Sequence, residues 1–163
     1  MIETNDEIFP NNIITRIAVR IPVAVDVDTT VLLRPLRPSD PNQSIGIYPQ
    51  TWSPDEDSYE ISPQMRNIPT LQDYRVYVQS FIKHGDEPTA LNLHCVLAQR
   101  IRAMLYSDTQ LQLAFAELID TSSGKTERAM SWKPRAQRFI SNEVSGSFLQ
   151  SSITEFWLQT ATQ

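Results

Sequence analysis

The chain has one cysteine, Cys95, so no internal disulfide can form and a reducing compartment is the default setting. Its four glycines, Gly46, Gly85, Gly124 and Gly146, stand singly. A phosphate-cradling loop needs several glycines close together, so loops of that kind are excluded. There are two histidines, His84 and His94, and with a single thiol they cannot supply the ligand set of a zinc site. No Gly-x-Ser-x-Gly element is present, and no pair of acids is marked by its surroundings as an acid/base couple. No run of eighteen apolar residues occurs, which excludes a membrane-spanning helix. The first residues (Met1 to Glu7) are acidic, without the positive and then apolar pattern of a secretory leader. These absences lead to the expectation of a non-enzymatic protein made in the cytoplasm, with no cofactor, no metal and no membrane contact.

What is present is enough for one domain. The 163 residues are 40% hydrophobic, which suffices for a core. The net charge of −5 is unevenly spread. Residues 1–60 hold ten acidic and four basic side chains, a net of −6, and residues 61–163 hold nine acidic and ten basic, a net of +1. A nucleic-acid-binding domain carries a strongly basic balance, and this chain does not.

Nine of the eleven prolines lie in the first 69 residues. Between Pro10 and Pro22, Arg16 and Arg20 sit four apart in an apolar stretch, which predicts a helix over Asn12–Ile21 ending before Pro22. Val31 to Leu33 and Ile45 to Tyr48 read as strands, joined by a turn-rich linker over Pro35 to Gln43. Residues 49–70 are proline-rich and carry Asp55, Glu56 and Asp57; they read as a long exposed loop, and residues 1–12 as a disordered tail. Tyr74 to Ile82 alternates as a strand does, and Gly85 ends it. Asp86-Glu87-Pro88 then opens a helix with an apolar stripe at Ala90, Leu93, Leu97, Ile101 and Met104. Asp108 caps a second helix carrying Leu111, Ala114, Phe115 and Leu118. Three short strands complete the chain, with turns at Ser122 to Gly124, at Lys133-Pro134 and between Asn142 and Gly146. The expected architecture is a single α+β domain over residues 1–163: an antiparallel β-sheet with two helices packed on one face, plus a proline-rich extended arm.

His94-Cys95 is the one neighbouring pair with nucleophile-and-base potential. Adjacent helical residues diverge by about 100°, so the two cannot hydrogen-bond each other. They read instead as a buried thiol beside a histidine on the polar face. Asp55, Glu56 and Asp57 lack the spaced ligand loop of a calcium site and read as a solvated acidic segment.

The closing stretch is different in kind. Lys125, Arg128, Lys133, Arg135 and Arg138 interleave with Trp132 and Phe139, without a catalytic group among them. Three readings fit: a solvated strand face, a protein–protein surface, or a nucleic-acid patch. Arginine and tryptophan are favoured interface anchors, because they bury much area and keep hydrogen-bonding ends. As a protein surface the candidate residues are Arg128, Trp132, Arg135, Arg138, Phe139, Asn142 and Glu143, with Asp55, Glu56 and Asp57 of another copy as the complementary acids. A head-to-tail contact of this kind closes into a ring when its rotation allows.

The chain resembles the tail terminator (tail completion) proteins of long, non-contractile-tailed bacteriophages, particularly those of actinobacterial hosts. The resemblance rests on Gly46-Ile47-Tyr48-Pro49 and Trp52, on the strand from Tyr74, and on Arg100-Ile101-Arg102-Ala103-Met104-Leu105 followed by Asp108. It continues in Glu127-Arg128, Arg138-Phe139, Ser141-Asn142-Glu143, Gly146 with Phe148-Leu149, and Glu155-Phe156-Trp157, and covers roughly residues 30–160. It implies an α+β fold and a homohexameric ring that caps the tail tube, ends tube polymerisation and joins the tail to the head connector. Its implied partners are further copies of itself, the major tail tube protein and the connector's stopper protein, with DNA passing through the lumen without specific binding. The implied location is the tail or neck of the virion, after assembly in the host cytoplasm, and the implied cofactor is none. A stopper or adaptor of the same head–tail connector shares these packing and turn residues and is the alternative.

Overall fold

A computed structural model describes residues 13–25, 28–54, 71–116, 118–119 and 126–162. It is a mixed α+β arrangement built on a six-stranded, mostly antiparallel sheet. In chain order the elements are α1 (Ile13–Ala18), α2 (Ile21–Ala24), β1 (Thr30–Leu32), β2 (Gln43–Pro54), β3 (Leu71–His84), α3 (Glu87–Ser107), α4 (Thr109–Ala116), β4 (Leu118–Ile119), β5 (Thr126–Val144) and β6 (Ser147–Thr162). The strand order is β1-β2-β3-β6-β5-β4; β1 runs parallel to β2, and the other pairings are antiparallel.

Strict alternation gives the sheet two unlike faces. Tyr74, Val76 and Val78 on β3 stand opposite Leu158, Phe156 and Thr154 on β6 and point to the inner face. There they meet Ile45 and Ile47 of β2, Ile13, Ile17 and Ile21 of α1 and α2, Leu97, Ile101 and Leu105 of α3, and Phe115 of α4, in one buried cluster. Phe115 is its aromatic centre, stacked on Phe156 at 5.8 Å and edge-on to Trp132 at 6.1 Å. Burying large apolar side chains of this kind stabilises by about 1.5–3 kcal/mol each.

Helix α3 starts where the sequence places it. Asp86 is the N-cap, and its carboxylate accepts from the Thr89 amide at 3.1 Å. The Thr89 hydroxyl donates to the same carboxylate, and that bond first, then the amide's, holds the exposed Asp86 carboxyl below the ordinary carboxylate range. The buried face of α3 runs through Ala90, His94, Leu97, Ala98, Ile101, Met104 and Leu105. Leu93, expected on that stripe, is 44% exposed, and His94 takes the inner position instead. The expected roles of His94 and Cys95 are therefore exchanged: the histidine is fully buried and the thiol is half-buried.

The N-terminal helix breaks earlier than expected, at Ala18, and Pro22 begins a second helical turn rather than following the first. Proline is suited to that place because its missing N–H has no partner there in any case. The strand meander also differs. Lys133-Pro134 makes no turn: β5 runs continuously through it, absorbing Pro134 at a register shift between Pro134 and Gln137. A bulge tolerates the absent N–H that a regular ladder would need. Val144 and Ser147 close the β5–β6 hairpin around Ser145 (φ 51°) and Gly146 (φ 80°), positive values matching a two-residue type I′ connection.

The segment expected as a linker, Pro35 to Gln43, is built onto the outer face. The Leu36 amide donates to Gln79 Oε1 at 3.1 Å, and Lys83 Nζ donates to the carbonyls of Pro38 and Asp40. Asp40 is the knot of this segment: Arg34 forks its carboxylate at 2.7 and 2.9 Å, and the Arg37 amide donates to it. The Arg34 hydrogen bond, more than the desolvation opposing it, holds the Asp40 carboxyl below its ordinary range.

Candidate protein interface

The β5–β6 hairpin carries the sequence-predicted residues, and the structure distributes them over both faces and a free edge. β4 pairs with β5 only at Thr126 and Glu127. From Arg128 to Val144 the far edge of β5 has no strand beside it among the described residues. An open edge is a row of unpaired backbone donors and acceptors, normally guarded by charge, proline or bulges. All three devices are here: Arg128, Lys133, Arg135 and Arg138, then Pro134, then register shifts at Ala129/Ser131 and Pro134/Gln137. At the second shift Arg102 of α3 donates to the Arg135 carbonyl at 3.0 Å, a bond the interrupted ladder leaves open.

Trp132 faces inward, partly buried against Phe115 and the core, and is a packing residue in this chain. Phe139 also lies on the inner side but is 58% exposed, its ring set edge-on to His94 at 5.6 Å. Arg128, Arg135 and Arg138 are exposed and project from the outer face or edge, as their register opposite Ala161 and Ile153 requires for the first and last. Asn142 and Glu143 are exposed near the hairpin end, where the Asn142 side chain accepts from the Glu143 amide. Asp55, Glu56 and Asp57 lie outside the described residues, as do residues 1–12 and most of the expected loop over 49–70.

Two residues outside the sequence-predicted interface candidates complete the outer surface. Trp157 of β6 lies between β3 and β5, and the guanidinium carbons of Arg75 and Arg135 each stand 4.1 Å from its ring centroid. Two guanidiniums at that distance collide if they share one face of an indole, so the ring is clamped between them. Each contact of this kind is worth roughly 0.5–1 kcal/mol at a partly exposed site. The Trp157 indole N–H donates to Glu155 Oε2 at 3.2 Å. Lys133, Arg135, Trp157, Ser131 and Gln159 line a depression of about 240 Å³; Tyr77, Arg138, Ile153 and Glu155 line a smaller one of about 110 Å³. Alternation in Tyr74-Arg75-Val76 and Phe156-Trp157-Leu158 assigns Arg75 and Trp157 to the outer face, but only the β3–β6–β5 order brings them together with Arg135.

On the inner side a buried polar chain runs through the sheet. Ser152 Oγ lies 3.0 Å from Ser80 Oγ, which lies 3.4 Å from His94 Nε2, while His94 Nδ1 has no hydrogen-bond partner. Burial, only partly offset by the hydrogen bond with Ser80, pushes the His94 pKa down to about 4, so the ring is neutral near pH 7. The three side chains are at most 1% exposed, and no substrate reaches the serine hydroxyls in this arrangement. Among the described residues no group of three or more metal-ligating side chains occurs, and no helix is long and apolar enough to cross a membrane.

Compared with models of known protein families and with curated proteins, the chain matches none.

Proposed function

We propose that this protein is a structural subunit of a phage tail: a terminator that assembles as a homohexameric ring on the finished tail tube. In that role the ring blocks further tube-subunit addition and presents its other surface to the stopper protein of the head connector. The observation that carries the reading is the long β5 edge from Arg128 to Val144, together with the unpaired cations beside it. Lys133, Arg135 and Arg138 form no ion pair among the described residues, whereas Arg20 and Arg34 are bound to Asp108 and Asp40. A surface of that make-up suits contact with copies of the chain or with the tube rather than chemistry on a small molecule. The sequence resemblance supplies the particular assembly. A net charge of −5 suits a channel through which DNA slides without being gripped, with the cations turned toward protein neighbours.

The test is assembly. Light scattering should give six times 18.6 kDa, either for the protein alone or after release from tail tubes. A persistent monomer that fails to bind assembled tubes would sink the reading. Charge reversal at Arg135 and Arg138 together should weaken ring formation while leaving the unfolding midpoint nearly unchanged. A neck reconstruction in which the protein lies above the last tube ring without touching it would favour a connector stopper instead.

A further inference from the structure

We infer that the Arg75–Trp157–Arg135 clamp is a docking site for carboxylates, and that its occupant is the acid-rich first sixty residues of a second copy of this chain. The inference deepens the ring reading by assigning a contact surface within it.

The outer face of the hairpin and its neighbour β3 is strongly one-sided in charge. By register Arg75, Lys83, Arg128, Lys133 and Arg138 stand there, with Arg135 held over Trp157; of the acids with described side chains, Asp40 is taken up by Arg34 and Glu155 remains. Lys83 is committed to backbone carbonyls, but Lys133 and Arg135 have no hydrogen bond or ion pair from their charged ends among the described residues. Contact with the indole holds the Arg135 guanidinium in place, 4.1 Å from the ring centroid. A guanidinium can fork a carboxylate through its N–H donors, and holding it in advance lowers the entropy lost on binding. Lys133 and Gln159 border the same 240 Å³ depression, so a carboxylate seated there meets a second cation and an amide.

The chemistry favours protein acids over a nucleic acid. An indole that binds nucleic acid offers an open face to a base, and here both faces of Trp157 are covered by guanidiniums. The chain itself carries the complement, with a net charge of −6 in residues 1–60 against +1 in the remainder. Like faces repel, so the contact joins the outer face of one copy to a different surface of the next. A heterologous contact of that type closes into a ring when its rotation allows.

The experiment uses the full chain without tail tubes, which separates this surface from the terminator role. Light scattering is run at low and high salt on the wild type, on Arg75→Glu/Arg135→Glu, and on Arg75→Lys/Arg135→Lys, with circular dichroism verifying the fold of each. The wild type should self-associate, more weakly as salt rises. The double reversal should weaken association by at least roughly tenfold, and the lysine pair should fall between. Carbodiimide coupling of a mixture of isotopically labelled and unlabelled protein should join Lys133 to acids of residues 1–60 across copies. Unchanged association of the reversed variant, or cross-links from Lys133 only to acids beyond residue 60, overturns the inference. So does a wild-type monomer that instead binds a DNA oligonucleotide through Arg75 and Arg135. Self-association with the expected cross-links but no tube binding would overturn the terminator role and leave the site standing.

Discussion

Arg20 forks the carboxylate of Asp108, with Nε at 3.1 Å from one oxygen and Nη2 at 3.0 Å from the other. The same carboxylate accepts from the Leu111 amide at 2.8 Å and so caps α4, while the Asp108 amide donates to the Met104 carbonyl and closes α3. One side chain thus ties the N-terminal helices to the α3–α4 corner. The Arg20 hydrogen bond is the main cause holding its carboxyl below the ordinary range.

Replacing Asp108 by alanine removes both the cap and the ion pair, and should cost about 2 kcal/mol. Asp108→Asn keeps a capping oxygen and loses the charge, so it should cost about half as much. Urea denaturation of the two variants separates the contributions, and equal losses would show that the cap contributes nothing.

His94 gives a pH dependence with a definite sign. Its folded pKa of about 4 lies below the ordinary 6.5, so as pH falls from 6.5 toward 4 the unfolded chain takes up a proton that the folded chain refuses. Stability should therefore be full above pH 6.5 and decline to a plateau near pH 4, by roughly 3 kcal/mol at most. Asp40, Asp86 and Asp108 are also depressed, but because hydrogen bonds favour their charged forms; they too lose stability as pH falls, and only below the ordinary value of 3.8. His94→Leu removes the unpartnered Nδ1 and leaves the Ser80–Ser152 bond intact, so its unfolding free energy should be flatter between pH 4 and 6.5. An unchanged slope would assign the pH dependence to another group.

Much of the fold is legible because period and caps are local properties. Tyr74 to Ile82 alternates, Asp86-Glu87-Pro88 opens α3 and Asp108 opens α4, and each signal is realised. The phase of α3 was harder to read, because Leu93 and His94 compete for one position and packing, rather than hydropathy, buries the histidine. Pro134 misleads for a related reason: it signals a turn locally, yet an edge strand with a register shift tolerates it. The basic surface was half visible. Arg135 and Arg138 stand out in composition, whereas Arg75 and Trp157 join them only through a strand order that no local pattern encodes.

Gly46 shows a close approach that a side chain would prevent. A Cβ there would lie 2.5 Å from the Arg34 carbonyl oxygen and 3.0 Å from the Leu36 side chain, where the proline-rich segment crosses β2. Gly46→Ala should cost about 1–3 kcal/mol by overpacking, with the outer-face segment displaced. Amide exchange would report it as faster exchange at Leu36 and Asp40, two amides bonded within that segment and to Gln79. A stability unchanged from the wild type would mean that the segment moves aside freely.

The hairpin turn offers a gain instead of a loss. A type I′ connection needs positive φ at both central residues, and Ser145 adopts 51° without the side-chain chemistry that makes the region easy for asparagine. Ser145→Asn should therefore stabilise by about 0.5 kcal/mol, since Asn-Gly is the favoured pair for this turn. Gly146→Ala at φ 80° should destabilise by about 1 kcal/mol, because a Cβ is strained there even though open space surrounds it. The two changes act on the backbone alone and touch none of Arg75, Arg135 or Trp157. Thermal melts should shift in opposite directions while the association measured by light scattering, corrected for folded fraction, stays constant. If association followed the turn variants, the hairpin tip beside Asn142 and Glu143 would be part of the contact, and the docking surface would extend beyond the Trp157 clamp to the end of the sheet.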